Sequence, residues 1–237
     1  MLFRSHGNNL GDEPLQFMVS SGTYTAQLAA QRGFCKPDQC DVFAQLNPYQ
    51  RYANGWDELI RQGYALGDIQ AWSVSSGTVM ITRSSFRAYG SHLGYLACTI
   101  AHELAHYRRY HIFRQSVHDS HLRRDLSDQI KQLESLKFSR QQELEADRDA
   151  ADLLARAGWK GRVCQEALVF MHRSVGDGTP TEEDSTHPGY EERIGAMRAH
   201  YDTLLKAPLK RQPDTQAGFA YDAKDNLLTL SPRSKPH

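Results

Sequence analysis

The amino-acid sequence predicts an α+β fold, mainly helical, with a small β-sheet edge just before a buried helix. Two β-rich runs, 69–72 (Ile-Gln-Ala-Trp) and 78–82 (Thr-Val-Met-Ile-Thr), flank Ser75-Ser76-Gly77 in the manner of a hairpin or a kinked edge strand. Leu93, Leu96, Ala97, Ile100, Ala101, Leu104 and Ala105 cover nearly every face of a helix, which is how a buried helix reads. Periodic helical stretches with turn chemistry between them then continue as far as Lys206. With 237 residues and 40% apolar composition, the chain suits one domain, or one with appendages.

Taken in order, residues 1–22 hold Gly, Asn and Ser without a clear period and read as loose. A helix is expected over 37–52, and Gly55-Trp56 opens a further segment ending near Gly67. Ser91 is the expected N-cap of the buried helix, which turns polar at Arg108 and Arg109. Residues 114–138 are charged and amphipathic and read as helix. Ser139 and Gln142 stand at capping-box spacing, which predicts a separate helix from Glu143 to Ala157, stopped by Gly158. Another helix is expected over 163–173. Residues 176–187 form a long polar loop, and Pro188 is placed to be the first residue of a helix reaching Lys206. The tail reads as a hairpin turning at Lys224-Asp225-Asn226. The chain divides into a helical or irregular region 1–64, a main domain 65–206, and a tail 207–237.

Lys+Arg and Asp+Glu number 28 each. The basic stripe of a nucleic-acid binder is missing, as is the imbalance of a charged disordered tail. No apolar run approaches the ~20 residues that span a bilayer, so no membrane span is expected. The first residues lack the basic and apolar regions of a signal peptide. The cytoplasm is therefore expected for the chain as it stands, or the periplasm or a lumen if an export signal lies outside it. The cysteines, at 35, 40, 98 and 164, are too sparse for a disulfide scaffold. Cys35 and Cys40 are expected to be ordinary thiols, and Cys98 and Cys164 small core residues. Nothing in the pattern fixes an oligomeric state.

His102-Glu103-Leu104-Ala105-His106 lies inside the buried helix. Histidines at i and i+4 stand ~40° apart around a helix and one turn apart along it, so both imidazoles can reach one metal ion. Glu103 lies ~100° round from His102, beside that ion, where a general base stands. The ligand type points to Zn²⁺, which lowers the pKa of a bound water to about 7. A helix this apolar does not accommodate two histidines and a carboxylate without a reason. A catalytic zinc needs a third protein ligand. Arg109 and Phe113 exclude the metzincin pattern, which wants Gly and His there. His111 lies about 140° round from His106 and is expected to point away from the metal. A better source is Glu143-Leu-Glu-Ala-Asp147, where Glu143 and Asp147 share a face and Glu145 points the other way. Glu143 can then ligate while Asp147 accepts a hydrogen bond from one histidine's other nitrogen. On spacing alone, an ordinary charged helix face remains the stronger reading of these acids.

H-E-x-x-H followed by E-x-E-A-D on a later helix resembles the gluzincin metallopeptidases of the HtpX, BepA, Oma and CAAX prenyl (Ste-type) group. In that group an edge strand of the type Asn-Ala-Phe-x-x-Pro-Gly-Gly-x-Ile precedes the zinc helix. Residues 70–79 occupy that place, matching at Ala71, Trp72, Gly77 and Val79 but lacking the Asn and the Pro-Gly. Ser185-Thr186-His187-Pro188 with Glu191-Glu192-Arg193-Ile194 is similar to the group's His-Pro…Arg-Ile segment. The resemblance implies a zincin-like domain with one Zn²⁺ per chain on His102, His106 and Glu143. Glu103 is then the base, and Asp147 stands behind the metal. It brings His187 to the open side of the zinc, as a catalytic aid or as a latch, and makes Arg193 a salt-bridge brace for the loop. His118, His121, His172 and His200 read as surface. The membrane helices of HtpX and the CAAX enzymes and the helical-repeat extension of BepA have no counterpart in these residues. Substrate choice is therefore expected to rest on the strand, the 176–187 loop or partners.

The function expected is a zinc-dependent metalloendopeptidase, with its polypeptide substrate extended along the 69–82 strand. Protein quality control is the process the resemblance implies. The alternative is a zinc-latched, weakly catalytic chaperone or protein-binding module. Glu103 speaks against that alternative, because a purely structural zinc has no use for a base.

Overall fold

The computed structural model describes residues 15–20, 28–36, 70–122, 125–175, 180–211, 218–222 and 227–231. The expected helix at 37–52, the segment 55–67, Gly176 and Gly178 of the polar loop, and the hairpin turn at 224–226 lie outside them.

One five-stranded sheet is formed by β1 (Leu15–Ser20), β2 (Ala71–Ser73), β3 (Thr78–Thr82), β4 (Gly218–Asp222) and β5 (Leu227–Ser231), in the order β2-β3-β1-β5-β4. The expected hairpin is present, with Trp72 of β2 opposite Met80 of β3. Its turn requires Gly77, at φ +87°, where a Cβ would also press to 3.2 Å from the Tyr107 ring. Residues 15–20, expected to be loose, instead form the middle strand. β1 runs parallel to β3 on one side and antiparallel to β5 on the other. Six residues are too few to show a period, and β1's pairing partners come from distant parts of the chain. β4 and β5 make the expected tail hairpin.

Around the sheet edge lie α1 (Arg83–Tyr89), α2 (Leu93–Arg108), α3 (His111–Ser120), α4 (Asp128–Arg156), α5 (Val163–Val175) and α6 (Tyr190–Lys206). α1 is an addition to the sequence reading. It is under two turns long and is started by Thr82, whose hydroxyl accepts from Ser85 N at 3.3 Å. Ser91 is not the cap of α2, since His92 occupies that position. The short link from α1 is used to turn the chain, and Gly90 N donates to Phe86 O at its start. The capping box at Ser139–Gln142 is also absent, because α4 runs unbroken through it. Ser139 Oγ donates to Thr186 O (3.2 Å) and Gln142 Nε2 to His111 O (3.2 Å), so both side chains serve tertiary contacts. The true cap is Ser127, accepting from Ile130 N. Pro188 precedes the last helix without starting it. Gly189, whose N–H donates to Thr181 Oγ1 at 2.9 Å, is the N-cap of α6.

α2, α4, α5 and α6 meet in a core of small and apolar side chains, including Ala101, Ala150, Ala151, Leu154, Leu168 and Met197. The alanines let the helices approach closely, and Gly94 continues this: a Cβ there would meet Val163 Cγ1 at 2.8 Å. Within this core Cys98 and Cys164, expected as unlinked core residues, form a disulfide between α2 and α5. Cys35 is likewise disulfide-bonded rather than an ordinary thiol. Pairing across 66 residues leaves no local sequence signal, because it depends on two helix faces that meet only in the fold. No helix among the described residues is long and apolar enough to cross a membrane.

Candidate metal centre

The packing of α2 against α4 brings together the residues that the two i, i+4 spacings present. His102 Nε2 and His106 Nε2 lie 3.1 Å apart. Glu143 reaches both, Oε2 at 3.3 Å from His102 Nε2 and Oε1 at 3.2 Å from His106 Nε2. One ligand atom from each of the three lies within 4.8 Å of the other two. Glu143 is 7% exposed, and its Oε2 is buried without a hydrogen-bond partner. Two imidazole nitrogens and a carboxylate, converging with an oxygen left unsatisfied, fit a Zn²⁺ ion.

Behind this group, His102 Nδ1 donates to Asp147 Oδ1 at 3.0 Å. Arg193 grips Asp147 through two bonds, Nε to Oδ2 at 2.8 Å and Nη2 to Oδ1 at 2.7 Å. Arg193, expected to act through a salt bridge, makes that bridge to Asp147 of α4. Burial opposes the charge on Asp147, yet the Arg193 guanidinium outweighs it and holds the pKa at about 2. Burial would likewise raise Glu143, but the His102 and His106 imidazoles beside it, with the Arg193 guanidinium, hold it well below the carboxylate range. His102 loses solvation too, and Asp147 and Glu143 together pull its pKa up to about 10.

A cleft of about 890 Å³ opens beside the group, lined among others by Ala71, Trp72, Glu103, His187 and Tyr190. Glu103 is buried in its wall. His187 sits on its rim, 59% exposed, with Nε2 3.7 Å from Glu143 Oε2 and Nδ1 2.8 Å from Thr186 Oγ1. The loop before it is braced by Arg140, whose Nη1 donates to Glu183 O and Ser185 O at 2.8 Å. The sequence reading missed Arg140, because a cation on a charged helix looks the same whether it meets a loop or water.

As expected, His111 is not part of the ligand group, but it lies against the far side of His106. Tyr110 takes the left-handed conformation (φ 54°) and ends the run of α2, so the angular spacing of that helix no longer applies from residue 111 onward. His111 is 2% exposed, with Nδ1 2.9 Å from His106 Nδ1 and Nε2 3.3 Å from Glu145 Oε2. Burial pushes its pKa down to about 4, which keeps it neutral. Three histidines read as surface are half-buried: His118 stacks on Phe138, His172 lies against Tyr190, and His200 meets Asp152 Oδ1 at 2.7 Å.

A family model described as peptidase family M48 matches residues 125–201. That stretch, about a third of the chain, carries Glu143, Asp147, His187 and Arg193 and stops short of α2. The match supports the M48 zinc metallopeptidase family. No curated protein and no solved structure matches the chain.

Proposed function

We propose, from the M48 match and the group it shares with α2, that this chain is a zinc-dependent metalloendopeptidase of the H-E-x-x-H type. The convergence of His102, His106 and Glu143 beside Glu103 is the observation that carries the reading. His102, His106 and Glu143 would hold zinc, which when bound supplies a Lewis acid for the peptide carbonyl and acidifies water. Asp147, itself fixed by Arg193, keeps the His102 proton on Nδ1 and leaves Nε2 free to ligate. Glu103 takes a proton from the attacking water and delivers it to the leaving amine. Substrate lies extended along β2, an edge strand of the sheet and part of the cleft wall. Degradation of damaged or misassembled protein is the process we assign to this activity. The Cys98–Cys164 disulfide favours an oxidising compartment, the periplasm or a lumen, over the cytoplasm.

The proximity of His187 to Glu143 supports a second reading, a zinc-latched module of low turnover. One set of measurements separates them: zinc content and casein cleavage of wild type, Glu103→Gln, Glu143→Ala and Glu145→Ala. The peptidase reading requires about one zinc per chain, activity lost with zinc kept in Glu103→Gln, and zinc lost in Glu143→Ala. Metal retained in Glu143→Ala and lost in Glu145→Ala would mean that the ligand is the other glutamate.

A further inference from the structure

The two candidate metal-ligating histidines are supported differently on their far sides. His102 hands its Nδ1 proton straight to a carboxylate, Asp147. His106 has no carboxylate in that place. Its Nδ1 faces another imidazole, His111 Nδ1, at 2.9 Å. From His111 the chain continues through Nε2 to Glu145 Oε2 at 3.3 Å, and Glu145 is itself held by Arg114 Nη1 at 2.7 Å and Arg109 Nη1 at 3.4 Å.

We propose that His111 is a positioning residue for the metal centre, a relay that fixes the tautomer and ring plane of His106 through a His106–His111–Glu145 hydrogen-bond chain. The inference rests on the zinc reading of His102, His106 and Glu143. Given that reading, the direction of every proton is determined. Ligation through Nε2 requires a bare lone pair there, so His106 carries its proton on Nδ1 and donates it to His111 Nδ1. Accepting at Nδ1, His111 must carry its own proton on Nε2, and donates it to Glu145 Oε2. A carboxylate pinned by two arginines accepts that bond and donates none, so the chain cannot reverse.

The backbone is arranged for this contact. Tyr110 adopts a left-handed conformation, unusual for a residue with a bulky side chain, and this turn brings His111 back against the helix it has just left. Gln142 Nε2 donates to the His111 carbonyl at 3.2 Å and ties the turn to α4, one residue before Glu143. A histidine serving only to fill volume would not need an acceptor at one nitrogen and a donor at the other. His111 is 2% exposed and has a partner on each.

The test is zinc affinity, measured by competition against a chromophoric chelator, with the unfolding temperature of the metal-free protein recorded beside it. Removing a group that orients a metal-bound histidine typically weakens metal binding 10–100-fold. His111→Leu keeps the bulk but cannot accept, and a 10–100-fold loss is expected. His111→Asn presents an oxygen close to where Nδ1 stands, and most of that loss should be recovered. Glu145→Ala, at a partly exposed position on α4, should weaken zinc by a smaller factor in the same direction. Equal zinc affinity in the Leu and Asn variants, or wild-type affinity in His111→Leu and Glu145→Ala, would overturn the relay. Should both His111 variants fail to fold, the Glu145→Ala result decides alone. Failure of the zinc reading has a different signature, wild-type protein that binds no zinc, and the relay falls with it.

Discussion

At the scale of single residues, Glu103 and Arg193 give the sharpest expectations. Glu103→Gln keeps the shape of the side chain and all three candidate ligands but removes the proton acceptor. Peptide cleavage should fall by ~10²–10⁴-fold with zinc content unchanged, since general acid–base catalysis is worth that much. An undiminished rate would reject the mechanism whatever the metal content. Arg193 has a different task. Replacing it by Met leaves the buried Asp147 carboxylate without its cation, and breaking such a pair costs about 3–5 kcal/mol. Urea unfolding of the metal-free protein reads this directly. Adding Asp147→Asn should recover part of the loss, because the stranded charge is then gone. The shared face of His102 and His106, with Glu103 beside it, was legible because i, i+4 spacing survives translation into a helix, whereas Glu143 and Arg193 were singled out only by the family resemblance. The contact between His111 and His106 was not, because it depends on a left-handed Tyr110 that breaks the angular rule. The partner of Arg193 was equally hidden, since a sequence does not say which of several acids a cation will meet.

At the scale of elements, local signals were misread where a side chain had a better use elsewhere. Ser139 and Gln142 have capping spacing, yet their hydrogen bonds go to Thr186 and to the His111 carbonyl, and α4 runs through them as one helix. That continuity matters to the site. The 185–187 loop is held from Ser139 and Arg140, and Glu143 and Asp147 stand on the next turns of the same rigid element. The clamp between α2 and α5 was invisible for a related reason: its two halves are 66 residues apart. Closing a loop of that length removes about 4 kcal/mol of unfolded-state freedom in the chain-entropy picture. Cys98→Ala with Cys164→Ala should therefore lower stability by up to that amount, measured by denaturant unfolding of the oxidised protein against the double variant. Since Cys98 lies one turn before His102, activity should fall along with stability. Gly94→Ala tests the same seam without touching sulfur. Its Cβ would collide with Val163, and core overpacking costs about 1–3 kcal/mol.

At the scale of the whole molecule, the sheet decides how a substrate can approach. β1 pairs with β3 on one side and β5 on the other, and β5 pairs with β4, which leaves β2 at one edge of the sheet. The hairpin itself was legible from its β-rich runs and Gly77; the strand that pairs with its β3 edge was not, because parallel pairing at long range carries no local mark. Thr82 N donates to Gln70 O and Val74 N to Thr78 O, so the alternation of an antiparallel ladder puts Trp72 in the hydrogen-bonded register with Met80. Ala71 and Ser73 then turn their amides and carbonyls outward, toward the place where an extended peptide would add itself as the next strand. Ser73→Pro removes one outward amide and leaves the β2–β3 ladder whole, which an edge strand tolerates. A single backbone hydrogen bond contributes about 0.5–1.5 kcal/mol, so kcat/KM toward an extended peptide should fall by roughly 3–10-fold with zinc content unchanged. Trp72→Pro instead deletes an amide that the ladder uses and should destabilise the hairpin itself, visible as a lower unfolding temperature. If Ser73→Pro cleaves long peptides as well as wild type does, the substrate does not pair with β2, and the cleft must be entered from the side of His187 and the 180–189 loop.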